Sequence, residues 1–243
     1  MNNSIQIIPF ANLALAFIPV LIVVVIMYKW SLNIKSAFYA ISRMLVQLMV
    51  IGYFLAYIFE ADSVWVVLAV VTVMVFASSW IALRTTKIKR TLLYKKTLYS
   101  VVLGGGITFL LVTQAVLNLN PWYSPRYVIP LAGMIFASSM NSVSLAVERL
   151  TAEIERNVDY QHARNTALRT SLIPITNSLF AVGLVSLPGM MTGQILSGIS
   201  PLVAARYQIM VMCMIFGSAG ISSALFLKLV KPDFLALGKT KGA

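Results

Sequence analysis

Acids, thiols and imidazoles are nearly missing from this chain: 243 residues hold seven Asp and Glu, one cysteine and one histidine. The single cysteine, Cys213, excludes an internal disulfide and any cysteine-based zinc site. The single histidine, His162, excludes a His-rich metal centre. Charged residues are only 11% of the chain, against roughly 25% in ordinary soluble domains. Residues 1–9 carry no base, so the first apolar run lacks the basic flank of a signal peptide and is expected to stay as a membrane helix. What fills the chain instead is apolar: 59% hydrophobic residues with a mean hydropathy of +0.87. Such a balance excludes a soluble enzyme, a disordered chain and a secreted disulfide scaffold.

The apolar residues come in runs long enough to cross a bilayer, which takes roughly 20 residues of helix. Seven runs are read as spans: 10–28, 37–59, 64–83, 98–117, 127–147, 170–187 and 204–229. The sixth is the shortest and most polar. The short alternating segments of a membrane barrel are not seen. The fold class expected is all-α and polytopic, with about seven transmembrane helices in a single domain, 1–243.

The net charge is +12. Lys29 and Lys35 lie between the first two spans, Arg84 to Lys96 between the third and fourth, Arg149 to Arg169 between the fifth and sixth, and Lys228 to Lys241 after the last. The intervening loops hold Glu60 with Asp62, Arg126 alone, or no charge. By the positive-inside tendency the amino terminus is outside and the carboxyl terminus cytoplasmic. The high positive charge then reflects topology and contact with anionic membrane lipid, and nucleic acid is not an expected partner.

No Asp or Glu falls within a span, whereas proton-coupled carriers usually place ionisable groups at the midplane. Nor is there a phosphate loop. Gly238-Lys239-Thr240 lacks the glycine five positions earlier, where Asp233 stands. Gly104-Gly105-Gly106 reads as close helix packing. Arg43 and Gln47 share a face of the second span. The small and hydroxyl residues of 133–142 and 217–224 read as helix contacts. The methionines, several of them near these stretches, fill apolar gaps or line a path for a soft metal. Candidates for a substrate path are Gln47, Met134, Ser138, Met140, Asn141, Met190, Met191 and Gln208. The segment 188–203 has no charge and carries Pro188, Gly189, Gly193 and Gln194; it reads as a gating or re-entrant element, or as a plain external connector. Pro188 is expected to end or kink the sixth span. Val143, Val147, Leu150, Ile154 and Val158 keep helical spacing, so the fifth span is expected to continue as a cytoplasmic arm.

The stretch from Val182 to Leu196, Val-Gly-Leu-Val-Ser-Leu-Pro-Gly-Met-Met-Thr-Gly-Gln-Ile-Leu, resembles the integral membrane subunit of Fet-type ABC transporters, linked to iron export in bacteria and related to plant aluminium-resistance permeases. Arg206-Tyr207-Gln208-Ile209-Met210, Ile129 to Ile135, and Gln47-Leu48 with Gly52-Tyr53 extend the likeness in the same order. The resemblance implies a cell-membrane permease, not itself an enzyme. It would work as a homodimer with a separate cytoplasmic ATP-binding subunit, which would carry the ATP and Mg, so no cofactor is expected in this chain. Glu153, Arg156, Asp159, His162, Arg164 and Arg169 are the candidates for docking that subunit, by position. Two departures stand out: Ala137-Ser138 replaces the usual Gly-Asn, and the cytoplasmic loop before the sixth span is shorter. Two other readings stay open, a stand-alone carrier or channel and a non-transporting regulatory subunit.

Overall fold

The computed structural model describes residues 8–61, 63–86 and 88–240, with the side chains of 56, 61 and 236–240 left aside. The stretch 1–7 and the charged residues Asp62, Lys87 and Lys241, used above, lie outside the described residues. Among the described residues the regular structure is helical, apart from one isolated bridge between Val182 and Ser186. This is the outcome a lipid environment dictates, since a helix satisfies its own backbone polar groups. The chain has an all-α polytopic membrane fold.

Two compact units are present, 1–61 with 196–198, and 62–195 with 199–243. The first holds α1 (Phe10–Leu15), α2 (Ile18–Lys29) and α3 (Ile34–Ala61). Pro19 occupies the first turn of α2, where a missing N–H costs nothing. Ser31, at φ +56°, turns the chain after α2, and the Asn33 side chain accepts from the Ser36 N–H to start α3.

The second unit is a bundle of α4 (Val64–Ala82), α5 (Arg90–Leu110) with a π-helical turn (Leu111–Val116), α6 (Pro125–Glu155), α7 (Tyr160–Ala181), α8 (Gly189–Leu196), α9 (Pro201–Leu229) and α10 (Lys231–Thr240). Small residues set its spacing. A Cβ on Gly104 would stand 2.4 Å from Ser222 Oγ and 2.6 Å from the Ser222 backbone N, so α5 and α9 touch backbone to backbone there. One on Gly105 would meet the Phe136 ring at 2.8 Å. Gly104 and Gly105 are therefore packing positions, whereas Gly106 has nothing within 4 Å; all three lie in the second half of α5, which begins at Arg90, eight residues before the expected span. Between α6 and α9 runs a seam of serines. Ser138 Oγ donates to the Ile215 carbonyl (3.1 Å), Ser222 Oγ to Ser139 Oγ (3.0 Å), and the Ser142 and Ser223 hydroxyls meet. Other hydroxyls bond back to their own helix, as Thr108 does to the Gly104 carbonyl (2.8 Å), which satisfies the donor without a partner helix.

Six helical stretches among the described residues are long and apolar enough to span a membrane: 10–29, α3, α4, α5 with its π turn, α6 and α9. The remaining expected span, 170–187, falls on α7 and the turn beyond it. At roughly 1.5 Å per residue α7 is about 33 Å long, yet His162, Arg164 and Arg169 make its first half polar. Its end also differs from expectation. Pro188 does not terminate it; the helix stops at Ala181, where Val182 turns extended and Gly183 adopts φ +84°, its N–H donating to the Ser186 carbonyl at 3.0 Å. A left-handed φ there costs glycine nothing, which is why the stop falls at this residue.

The arm expected beyond the fifth span is present as the last turns of α6. It is packed, not free. Val143, Val147 and Leu150 are buried in one cluster with Tyr160, Ala163 and Ala167 of α7, Phe226 of α9 and Phe234 of α10, and Ile154 and Val158 border it. The Tyr160 hydroxyl donates to the Leu227 carbonyl, and Lys96 pairs with Asp233. Burial pushes the Tyr160 phenol up to about 12, against 10.0 normally, so it keeps the proton it donates.

Candidate functional site

Helix α6 presents one edge that recurs every fourth residue: Arg126, Pro130, Met134, Ser138 (with Ala137) and Asn141, ending at Leu145. This spacing keeps side chains on a single helix face. From Arg126 to Leu145 the face is roughly 28 Å long, close to the hydrocarbon thickness of a bilayer.

Two cavities lie along that face and share Met134 as a lining residue. One, of about 330 Å³, is walled by Met134, Ser138 and Asn141 of α6, Ser171, Pro174 and Ser178 of α7, and Ile215 and Ala219 of α9. Pro174 cannot donate to the Thr170 carbonyl, so α7 carries a local break in its ladder beside the cavity. The other, of about 370 Å³, lies between Arg126, Tyr127 and Met134 of α6, Met190 and Gln194 of α8, and Tyr207 of α9. The two cavities set hydroxyls, amides, phenols and thioethers into mostly apolar walls, with one formal charge, Arg126, at one end. No carboxylate lines either cavity, and no cluster of three or more His, Cys, Asp or Glu that could hold a metal ion occurs among the described residues. A groove of neutral donors can solvate a polar or cationic solute weakly; it is not built to trap one.

The far end of α6 and the start of α7 form a tight hairpin through 156–159. Asn157 takes φ +60°, and the Asp159 carboxylate caps α7 by accepting from the Gln161 N–H at 2.9 Å. Arg156, Asp159, His162, Arg164 and Arg169 are exposed, and Arg164 reaches Asn165 Oδ1 at 3.0 Å. Glu153 is buried and paired with Arg149 one turn earlier.

A family model described as "Uncharacterised protein family (UPF0014)" matches residues 10–235, nearly the whole chain. The chain belongs to the UPF0014 family. The UPF0014 membrane protein slr1647 of Synechocystis is 38% identical over 72% of this chain and 73% of its own length. Protein ALUMINUM SENSITIVE 3 of Arabidopsis thaliana is 34% identical over 91% of this chain and 85% of its length. The "Probable iron export permease protein FetB" of Escherichia coli is 32% identical over 88% and 87%. No solved structure matches. With its apolar helices and these relatives, the chain is a multi-pass membrane protein of permease type.

In this UPF0014 chain the residues singled out for a substrate path separate into distinct places. Met134, Ser138, Asn141 and Met190 come together in the groove, joined by Gln194 from the set assigned to gating. Met191 and Gln208 line a different cavity, between α7, α8 and α9. Met140 points away and borders the cluster under the α6–α7 hairpin. Gln47 is exposed on α3, in the first unit. Gly189, Gly193 and Gln194 lie on the ordered helix α8, and Pro188 precedes it, its carbonyl accepting from the Thr192 N–H at 3.0 Å. Sequence reasoning passed over Ser171, Pro174, Ser178, Arg126, Tyr127 and Tyr207. The spacing 171, 174, 178 was a usable signal, one helix face bearing two hydroxyls and a proline.

Proposed function

We propose that this chain is the membrane subunit of an ABC exporter whose cargo, a metal ion or its complex, moves along the α6 groove while a separate cytoplasmic subunit hydrolyses Mg-ATP. The observation that carries the reading is the pair of cavities along one bilayer-long face of α6, which share Met134 and hold hydroxyls, amides, phenols and thioethers in mostly apolar walls. Weak ligands suit passage, because a site that conducts must also release. A pathway without carboxylates or histidines offers no proton-coupling relay, so the driving force comes from a partner. Iron as cargo rests on the likeness to the probable iron export permease of E. coli and on the Fet-type motif 182–196. Export direction, two copies of the chain and a cell-membrane location follow from the same likeness. The exposed Arg156, Asp159, His162, Arg164 and Arg169 form the docking surface for the ATPase. Glu153 serves it indirectly, by holding the end of α6 through Arg149.

The test is purification in mild detergent from cells that co-express a candidate ATP-binding subunit, followed by ATPase assay and iron efflux from loaded vesicles. A co-purifying ATPase and ATP-dependent efflux are expected. The double substitution Arg156→Glu, Arg164→Glu should release the partner. Asn141→Leu should lower efflux while leaving complex formation and unfolding within about 0.5 kcal/mol of the original protein, the usual range away from buried contacts. Efflux that proceeds without the ATPase would overturn the reading in favour of a stand-alone carrier.

A further inference from the structure

Arg126 is the one charged side chain that lines either cavity along α6. It sits at the end of α6 opposite the α6–α7 hairpin and shares its cavity with Tyr127 and Tyr207. None of these three side chains has a hydrogen-bond or ion-pair partner among the described residues. Together they offer a guanidinium fork and two phenolic donors. Arg206, one residue before Tyr207 on α9, is exposed and adds positive charge at the same end. No described acid of the second unit balances them. Glu148 lies roughly 33 Å along α6 from Arg126, and Glu153, Glu155 and Asp159 lie further on. Asp233 follows the far end of α9. These separations are several screening lengths at physiological salt.

A mouth with fixed positive charge and no acid lowers the energy of a passing anion and raises that of a cation, as arginines do in selective pores. The walls beyond it are mostly apolar and carry no carboxylate. A bare multivalent metal ion would shed its hydration there with no anionic ligand in exchange. A solute that brings its own carboxylates meets neither obstacle, and the cavity beside Arg126, about 370 Å³, has room for one small chelate.

We propose that the cargo passes as a carboxylate anion, received by Arg126, Tyr127 and Tyr207, and that Arg126 sets the sign of the charge this path accepts. The inference rests on the reading of the α6 cavities as the transport path. The anion comes with a metal, as a chelate, or without one, as a free organic acid; the chemistry recognised is the same.

Binding and transport are measured apart. The purified full chain, in nanodiscs of neutral lipid, is dialysed to equilibrium against doubly labelled ferric citrate, against labelled citrate alone, or against labelled ferrous iron; empty nanodiscs give the background. Citrate is expected to be retained in preference to ferrous iron. Arg126→Gln should weaken that retention about tenfold, the scale of one hydrogen bond to a charged group. Tyr207→Phe should weaken it about threefold. Arg126→Lys should keep the preference for the anion, and Arg126→Glu should reverse it in favour of ferrous iron. Arg126 is exposed, so these variants leave the packed core untouched. Iron and citrate retained together assign the chelate; citrate retained without iron assigns a free acid. Efflux of the same labels is then followed from vesicles that also hold the ATP-binding subunit. Arg126-dependent retention of citrate without ATP-dependent efflux supports the site and removes the transport reading. ATP-dependent efflux of ferrous iron that Arg126→Gln leaves unchanged keeps that reading and overturns the anion. No retention of citrate, retention unaffected by Arg126→Gln, or a preference that Arg126→Glu fails to reverse would each overturn it as well.

Discussion

The stretch 10–29 has a mean hydropathy of 2.8 in its most apolar window, and none of that window is buried. Helix α6 reaches only 1.5, and half of its window is buried. In water the order would be reversed, because burial there follows hydrophobicity. A bilayer is as apolar as leucine, so apolarity gives no preference for a protein neighbour; close packing and interhelical hydrogen bonds do. The serines and glycines that lower the hydropathy of α5, α6 and α9 are the residues that bring those helices together, while α1 and α2 carry almost none. Within the bundle α5 and α6, at 1.6 and 1.5, are the least hydrophobic spans, and half of the α6 window is buried.

The sharpest way to break this comparison is a single methyl group placed in each region. Gly104→Ala puts a Cβ into the Ser222 backbone, and should cost about 3 kcal/mol, the upper end of overpacking penalties. Unfolding by SDS titration in mixed micelles measures it. A loss below about 1 kcal/mol would mean that α5 and α9 are not in backbone contact.

Next in size is the serine seam. Ser142→Ala strands the Ser223 hydroxyl and should cost about 1.5 kcal/mol, whereas the double change with Ser223→Ala should cost less than the sum of the two singles. A double-mutant cycle on the same titration reads the coupling.

Tyr160→Phe removes the bond to the Leu227 carbonyl and should cost about 1 kcal/mol. The sign of its pH dependence follows from the raised pKa. The folded state holds the phenolic proton more tightly than the unfolded state, so this contribution is complete below pH 10.0 and is lost as pH rises through about 12. The difference between the two proteins should be flat from pH 6 to 9.

The smallest effect belongs to the first unit. Nothing among the described residues lies within 4 Å of a Cβ placed on Gly52 in α3. Gly52→Ala should therefore leave stability unchanged or raise it by no more than about 0.5 kcal/mol, through helix propensity. A cost as large as that of Gly104→Ala would show that another backbone approaches Gly52 as closely as Ser222 approaches Gly104. Circular dichroism during thermal unfolding is sufficient to tell.

Much of the architecture was legible beforehand. The runs that became α3, α4, α6 and α9 stand out because hydropathy is a local property, and the spacing from Val143 to Ile154 announced that α6 would outrun its span. The α7 region was not legible in the same way. Its first half is polar and its stop depends on the φ of Gly183 rather than on Pro188, a choice made by local backbone geometry that no apolar count detects. The groove was half legible. Ser138 and Asn141 were visible as polar residues in a span, but so were Ser139 and Ser142, and nothing along the chain says that Ser139 only bonds to α9 while Ser138 and Ser142 also face a cavity.

By itself the sequence determined that this is an all-helical membrane protein with its polar chemistry rationed to a few hydroxyls, amides and thioethers, because only a helix closes its own hydrogen bonds in lipid. Tertiary structure alone decided how those few groups divide. Ser139, Ser222 and Ser223 became helix contacts, Met134 and Asn141 came to line a cavity, and Ser138 and Ser142 do both. The division turns on how closely a neighbouring helix approaches, and that distance is set by residues far away in the chain, such as Gly104 against Ser222.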